Sequence, residues 1–212
     1  MVSRGPQRRA RDTAPATSPH WTGRIAIAGW QTQSDTSQRF TNVTSNVSGG
    51  AGDMFLLVKG AKHGLIKGES QDDQHKGEID VLSWSWGMLA KASIGGGTAT
   101  GKATINDLRI VKRVDSASTA LMLALRENEP IQKAVLTLRK AGKGQLEYMK
   151  VTIEQGRVIS LTIDTIETTG SPEILERVSF SFNKIEVEYV PQGKDGLPQG
   201  GMTFADQWSE QA

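Results

Sequence analysis

The chain has 212 residues and no cysteine, a size suited to one domain with appendages and a composition that removes disulfides, zinc–thiolate sites and thiol nucleophiles. Its formal net charge is +2, but the excess sits in the first 53 residues, where Arg4, Arg8, Arg9, Arg11, Arg24 and Arg39 face only Asp12, Asp35 and Asp53; the remainder is near neutral and lacks the basic patch of a nucleic-acid reader. No apolar run of about 18 residues is present to span a bilayer, and no apolar stretch follows the early arginines as in a secretory signal.

Residues 1–53 are rich in Ser, Thr, Gly, Arg and Pro, and their one apolar run, "IAIAGW", is short. Such a composition buries too little surface to offset chain entropy and predicts a largely disordered leader. From "MFLLVKG" the pattern changes to period-two segments separated by turn residues, the signature of an all-β unit. They are 54–59, 78–88, 102–112, 133–140, 145–154, 158–167 and 177–190. In the sixth, Ile159, Leu161 and Ile163 alternate with Ser160, Thr162 and Asp164, which implies one buried face and one wet face. "KAGKGQ" between the fourth and fifth segments reads as a hairpin. "DSASTALMLALRENEP" breaks the alternation: Ala117, Ala120, Leu121, Ala124 and Leu125 recur at helical spacing, Asp115 or Ser116 can cap the start, and Pro130 follows the end. The spacing predicts one amphipathic helix packed on a sheet. Residues 191–212 form a Pro- and Gly-rich tail, expected to be extended.

Three stretches carry candidate chemistry. "GGTATGKAT" approaches a phosphate-binding loop, with Gly96, Gly101 and Lys102 in place but Ala103 where a magnesium-binding hydroxyl belongs. A strand-like segment follows where that motif needs a helix N-terminus, so the glycines read as a flexible loop rather than a nucleotide hydrolase. His63, His75 and the acidic run "ESQDDQHKGE" lack the fixed spacing of a metal or acid–base site and read as a solvated charged loop. No G-x-S-x-G elbow is present. In "EIDVLSWSWGM" the alternation places Leu82, Trp84, Trp86 and Met88 on one face and Ile79, Val81, Ser83 and Ser85 on the other. A continuous row of large apolar residues reads as core, the core of a wall strand formed by Leu82, Trp84 and Trp86, in preference to a ligand-stacking platform.

Taken together, "DMFLLVKG", "KGES", "HKGEIDVLSWSWGM", the glycine loop, "KRVDSASTALMLA", "LTLRKAG", "EYMKVTI" and "VSFSFNKIEVEYVPQ" closely resemble, in order and from Asp53 to about Tyr189, the haemolysin-coregulated protein (Hcp) family, the tube protein of bacterial type VI secretion. The resemblance implies a compact β-barrel of two packed sheets with one helix over residues 54–190. It implies a hexameric ring with a water-filled channel, rings stacked into a tube, and partners in the sheath, the spike and effector proteins carried in the channel. It also implies export through the apparatus itself, from the cytoplasm and without a signal peptide. No catalytic residue, metal, cofactor, nucleic acid or membrane insertion is expected. On this resemblance Ser83 and Ser85 face the channel and its cargo. The loop 87–101, with Lys91, Ser93, Gly95, Gly96 and Gly97, corresponds to the family's extended loop, which reaches the neighbouring ring. The 53-residue leader is foreign to the family pattern, and the expectation is a translation start at Met54 or Val47, with a genuine flexible leader as the alternative. The 22 residues after Val190 are too few for a fused toxin domain. A stand-alone β-barrel that binds a ligand through Trp84 and Trp86 is the competing functional reading.

Overall fold

The computed structural model describes residues 52–90, 103–140, 146–167, 172–194 and 196–208, all within the unit spanning 46–212. In chain order the elements are β1 (Met54–Gly60), β2 (Leu65–Ile66), β3 (Ile79–Ser85), β4 (Met88–Leu89), β5 (Thr104–Ile105), β6 (Leu108–Arg113), α1 (Ala117–Arg126), β7 (Pro130–Arg139), β8 (Glu147–Glu167), β9 (Pro172–Ser181), β10 (Lys184–Tyr189) and β11 (Met202–Gln207). Strands β8, β7, β1, β3, β6 and β9 pair in that order, and β9 pairs back onto β8, closing a six-stranded antiparallel barrel. Beyond it, β10 pairs with the first half of β8 and β11 pairs with β10. Of the expected leader, 1–53, residues 1–51 lie outside the described residues, as do residues 141–145 of the expected hairpin between β7 and β8.

Cross-strand registers show how the core is assembled. Leu56, Leu136, Val151, Val187 and Phe204 lie side by side across five strands. The first three have no exposed surface, whereas Phe204 at the end of the row is 41% exposed. A second row, Trp84, Ile110, Val178 and Leu161, crosses the opposite side of the barrel. Both rows follow from the pleat, which sends alternate side chains to one face.

β8 is one strand where the alternation predicts two, 145–154 and 158–167. Gln155 takes a left-handed conformation, φ 55°, and re-aims the strand without ending it. Its first half serves β7 and β10 and its second half serves β9. Gly156 is required at the turning point, because a Cβ there would lie 2.6 Å from the Ser181 carbonyl oxygen. The segment read as one strand, 177–190, is divided at Phe182 and Asn183 into β9 and β10. The tail contributes β11.

Helix α1 is set by its ends. Asp115 Oδ1 accepts the Ala117 N–H (2.9 Å) and Ser118 Oγ accepts the Asp115 N–H (3.1 Å), so Asp115 rather than Ser116 caps the start with its side chain. At the far end Asn128 adopts φ 51°, Glu129 N–H reaches Ala124 O (2.8 Å) and Asn128 N–H reaches Leu125 O (3.2 Å), the pairing of a Schellman stop. Ala117, Ser118, Leu121 and Ala124 are buried on the barrel side. The stop also delivers Glu129 into the fold, where Oε1 accepts the N–H groups of Lys62 (2.6 Å) and His63 (2.9 Å) and Oε2 accepts His63 Nδ1 (2.6 Å). Burial pushes this carboxyl up, but the hydrogen bonds from the His63 side chain and from the two backbone N–H groups outweigh it and hold the group below the ordinary carboxylate range.

Candidate functional site

The face of β3 that carries Ser83 and Ser85 continues across three further strands. Ser85, Arg109, Ser179 and Ser160 align in one cross-strand row, and Ser83, Val111, Arg177 and Thr162 in the next. Ser83, Ser85, Arg109, Ser160, Thr162 and Arg177 are exposed. Arg177 meets Asp164 (3.2 Å) and Arg113 meets Glu173 (2.5 Å), so much of the charge on this wall is balanced locally. The result is a broad hydroxyl-rich sheet face with small side chains on β3. Such a face offers hydrogen bonds and little apolar area to a passing surface.

On the other side of β3 the structure departs from simple alternation. Leu82 is the extra residue of a bulge between Val81 and Ser83, and a bulge shifts the side-chain register by one. Ile79 and Val81 before it, and Trp84 and Trp86 after it, therefore all turn to the core side. Leu82 is half-buried and stands apart from the core cluster, and Met88 is 44% exposed. The row expected to run Leu82, Trp84, Trp86, Met88 is corrected accordingly: the two tryptophans keep their inward place, and Leu82 and Met88 leave it. Indoles packed against the core are poorly placed to stack a ligand.

Lys91, Ser93, Gly95, Gly96 and Gly97 lie outside the described residues. The stem on either side of them is a small two-stranded sheet, β4 with β5, in which Met88 faces Ile105 and Leu89 faces Thr104, closed by Asn106 N–H to Gly87 O at 3.0 Å.

The acidic segment is solvated at Glu69, Gln71, Asp73, Gln74 and Lys76, as expected, but it is also anchored to the fold. Asp72 pairs with Arg139 (2.5 Å), which also holds Asp53 (2.8 Å). The Arg139 side-chain hydrogen bond dominates over burial and holds the Asp72 carboxyl at about 2, while the two aspartates push the guanidinium value up. His75 is buried against Phe55. Among the described residues no group of three or more His, Cys, Asp or Glu is arranged to hold a metal ion.

Sequence reasoning missed the charged group inside the barrel. Lys112 and Glu176 have no exposed surface and pair across β6 and β9 at 2.7 Å. Lys112 Nζ also donates to Asp115 Oδ1 (2.7 Å), Ser118 Oγ (3.0 Å) and Arg113 O (2.8 Å), and Ser118 Oγ donates to Glu176 Oε2 (2.5 Å). A signal was present. Lys112 follows Leu108 and Ile110 at period two, and Glu176 precedes Val178 and Phe180 at period two, so both charges fall on an apolar face and call for partners.

Comparison with known proteins gives a consistent result. The family model described as type VI secretion system effector, Hcp, matches residues 55–189. Protein hcp1 of Pseudomonas aeruginosa is 39% identical over 152 residues, covering 70% of this chain and 90% of that protein. The crystal structure of Hcp1 from Salmonella typhimurium superposes with a TM-score of 0.59 at 31% identity, covering 74% of this chain and 95% of that one. A weaker likeness, 30% identity over 112 residues, links half of this chain to 77% of the large ribosomal subunit protein uL16 of Xanthomonas campestris. The first relative exceeds it in identity and in span and agrees with the fold comparison, and it decides the family.

Proposed function

Because the chain belongs to the Hcp family of type VI secretion proteins, we propose that it is the tube subunit of such an apparatus: a hexameric ring that stacks into a tube, leaves the cytoplasm through the apparatus without a signal peptide, and holds effectors in its channel. The observation that carries this reading is the match of the family model over the whole barrel, residues 55–189. Two features of the fold support it. The hydroxyl-rich wall around Ser83 and Ser85 suits a channel lining, where large apolar groups would trap cargo. In two places the core-facing side of the sheet runs out beyond its cover, at Tyr189, Met202 and Phe204 on β10 and β11, and at Ile163 and Ile174 on β8 and β9. Two different apolar patches on one chain suit a head-to-tail contact, which closes into a ring when the rotation between copies allows.

The proposal assigns the chain no catalytic step and no cofactor; its work is structural. Replacing Ser85 with Gln puts a longer side chain on the exposed wall of β3. The expected outcome is intact rings with reduced co-purification of a small effector; unchanged retention of every effector tested would contradict a cargo role for this wall. For the loop, Gly95, Gly96 and Gly97 changed together to alanine are expected to leave soluble rings and impair stacking, read by electron micrographs in which normal tubes would refute the assignment.

A further inference from the structure

The connection between β2 and β3 is fastened to three other elements, and its last fastening is chemically incomplete. Near its start, Glu69 Oε1 accepts the Ser116 N–H (2.9 Å) and Ser116 Oγ donates to Lys67 O (3.1 Å), tying the segment to the start of α1. In its middle, Asp72 pairs with Arg139 of β7. Near its end, His75 lies flat on Phe55 of β1, with ring centroids 4.2 Å apart and planes 10° from parallel. His75 Nδ1 is 3.1 Å from Glu78 Oε2. Its other nitrogen, Nε2, is buried, has no hydrogen-bond partner among the described residues, and stands 3.4 Å from Glu147 Oε1 at the start of β8.

We propose that His75 is a proton-operated clasp: on gaining a proton it bridges Glu78 and Glu147, and so fastens the connection between β2 and β3 to the first residues of β8. A neutral imidazole carries a single N–H, so it satisfies one carboxylate and presents a bare lone pair to the other. Only the imidazolium donates to both, and hydrogen bonds between charged groups are the strong ones. The charged surroundings leave room for that proton. Asp53, Asp72, Glu78 and Glu147 gather here with two permanent cations, Arg139, whose guanidinium lies 5.0 Å from the Phe55 ring centre, and Lys150, which is 2.6 Å from Glu147 Oε2. Asp73 and Lys76 on the segment itself are exposed and of opposite sign. Phe55 supplies a flat apolar floor that holds the ring between the two carboxylates.

Histidine is the side chain that changes charge between about pH 5 and pH 8, which is the window in which the clasp is tested. A bridge that forms only with the proton bound contributes to stability where the ring is charged and contributes nothing where it is neutral. The Asp72–Arg139 fastening persists throughout, since Asp72 ionises at about 2. The clasp does not depend on the tube reading: either can fail with the other intact.

The chain has three histidines, so their ring signals are readily resolved by nuclear magnetic resonance, with His75→Gln identifying the relevant one. Between pH 8 and pH 5 in the full-length protein, the His75 ring is expected to acquire its second N–H with the fold intact. Thermal unfolding of wild type and Glu147→Gln is expected to differ by about 2–4 °C more at pH 5.5 than at pH 8, and His75→Gln is expected to lose the same acid-dependent increment. A His75 ring that keeps one N–H down to pH 5, or an unfolding difference equal at the two pH values, would overturn the clasp.

Discussion

A lysine with no exposed surface holds three parts of this fold at one point. Lys112 on β6 meets Glu176 on β9 and, through Asp115 and Ser118, the first turn of α1. Forming such a pair costs desolvation of both charges, so its presence is weak evidence of stabilisation; breaking one side of it is costly, because the other charge stays buried without a partner. Lys112→Met is therefore expected to lower stability by about 3–5 kcal/mol in urea denaturation. Lys112→Met combined with Glu176→Met is expected to recover much of that loss, and additive losses would refute the coupling. Acid behaviour belongs to this scale as well. Asp72 ionises at about 2 in the folded protein against an ordinary 3.8, so its contribution is full above the ordinary value and disappears as pH falls from there towards 2. Glu129, also lowered, acts in the same direction. Removing the Asp72 partner by Arg139→Gln is expected to reduce the acid sensitivity of unfolding below about pH 4, and an unchanged acid limb in a pH series of melting curves would contradict it.

At the scale of elements, period and punctuation in the sequence explain a good part of the fold. The alternation of Ile185, Val187 and Tyr189, the helical spacing from Ala117 to Leu125 and the cap at Asp115 all correspond to elements that form. What alternation cannot express is a change of register demanded by a partner strand. The bulges at Leu82 and Ile159 arise where β3 meets β6 and where β8 meets β9, and nothing local marks Leu82 as the residue left over. For the same reason β8 reads as two strands: Gln155 and Gly156 look like a turn, yet the pairing with β7 and β9 carries the chain through it. The wall carrying Ser83 and Ser85 was legible because polar residues alternate there; the exit of Leu82 from the apolar row was not. Gly156 tests the bend directly. Gly156→Ala places a Cβ 2.6 Å from Ser181 O and is expected to cost about 1–3 kcal/mol, whereas Gly77→Ala, whose new Cβ meets nothing within 4 Å, pays only for its left-handed backbone. A Gly156 variant with wild-type stability would show that β8 bends without that close approach.

For the whole molecule, the barrel is closed and its sheet is not. Six strands complete a ring of hydrogen bonds, while β10 and β11 carry the core-facing side of the sheet onward until Met202 is 67% exposed. Among the described residues β11 is paired on one side only, and a sheet edge with apolar residues beside it is a joining surface unless it is blunted. The proposed ring would give such an edge its cover; the family itself was legible in the ordered resemblance from Asp53 to Tyr189, since no single motif states it. Phe204→Lys is accordingly expected to leave a folded chain and weaken ring formation. The measurement that tests the central claim most directly is the native mass of the purified protein. The proposed ring predicts a particle of about six times the chain mass, six being the number that the family resemblance implies and head-to-tail contacts being what closes such a ring; a monomer would contradict it.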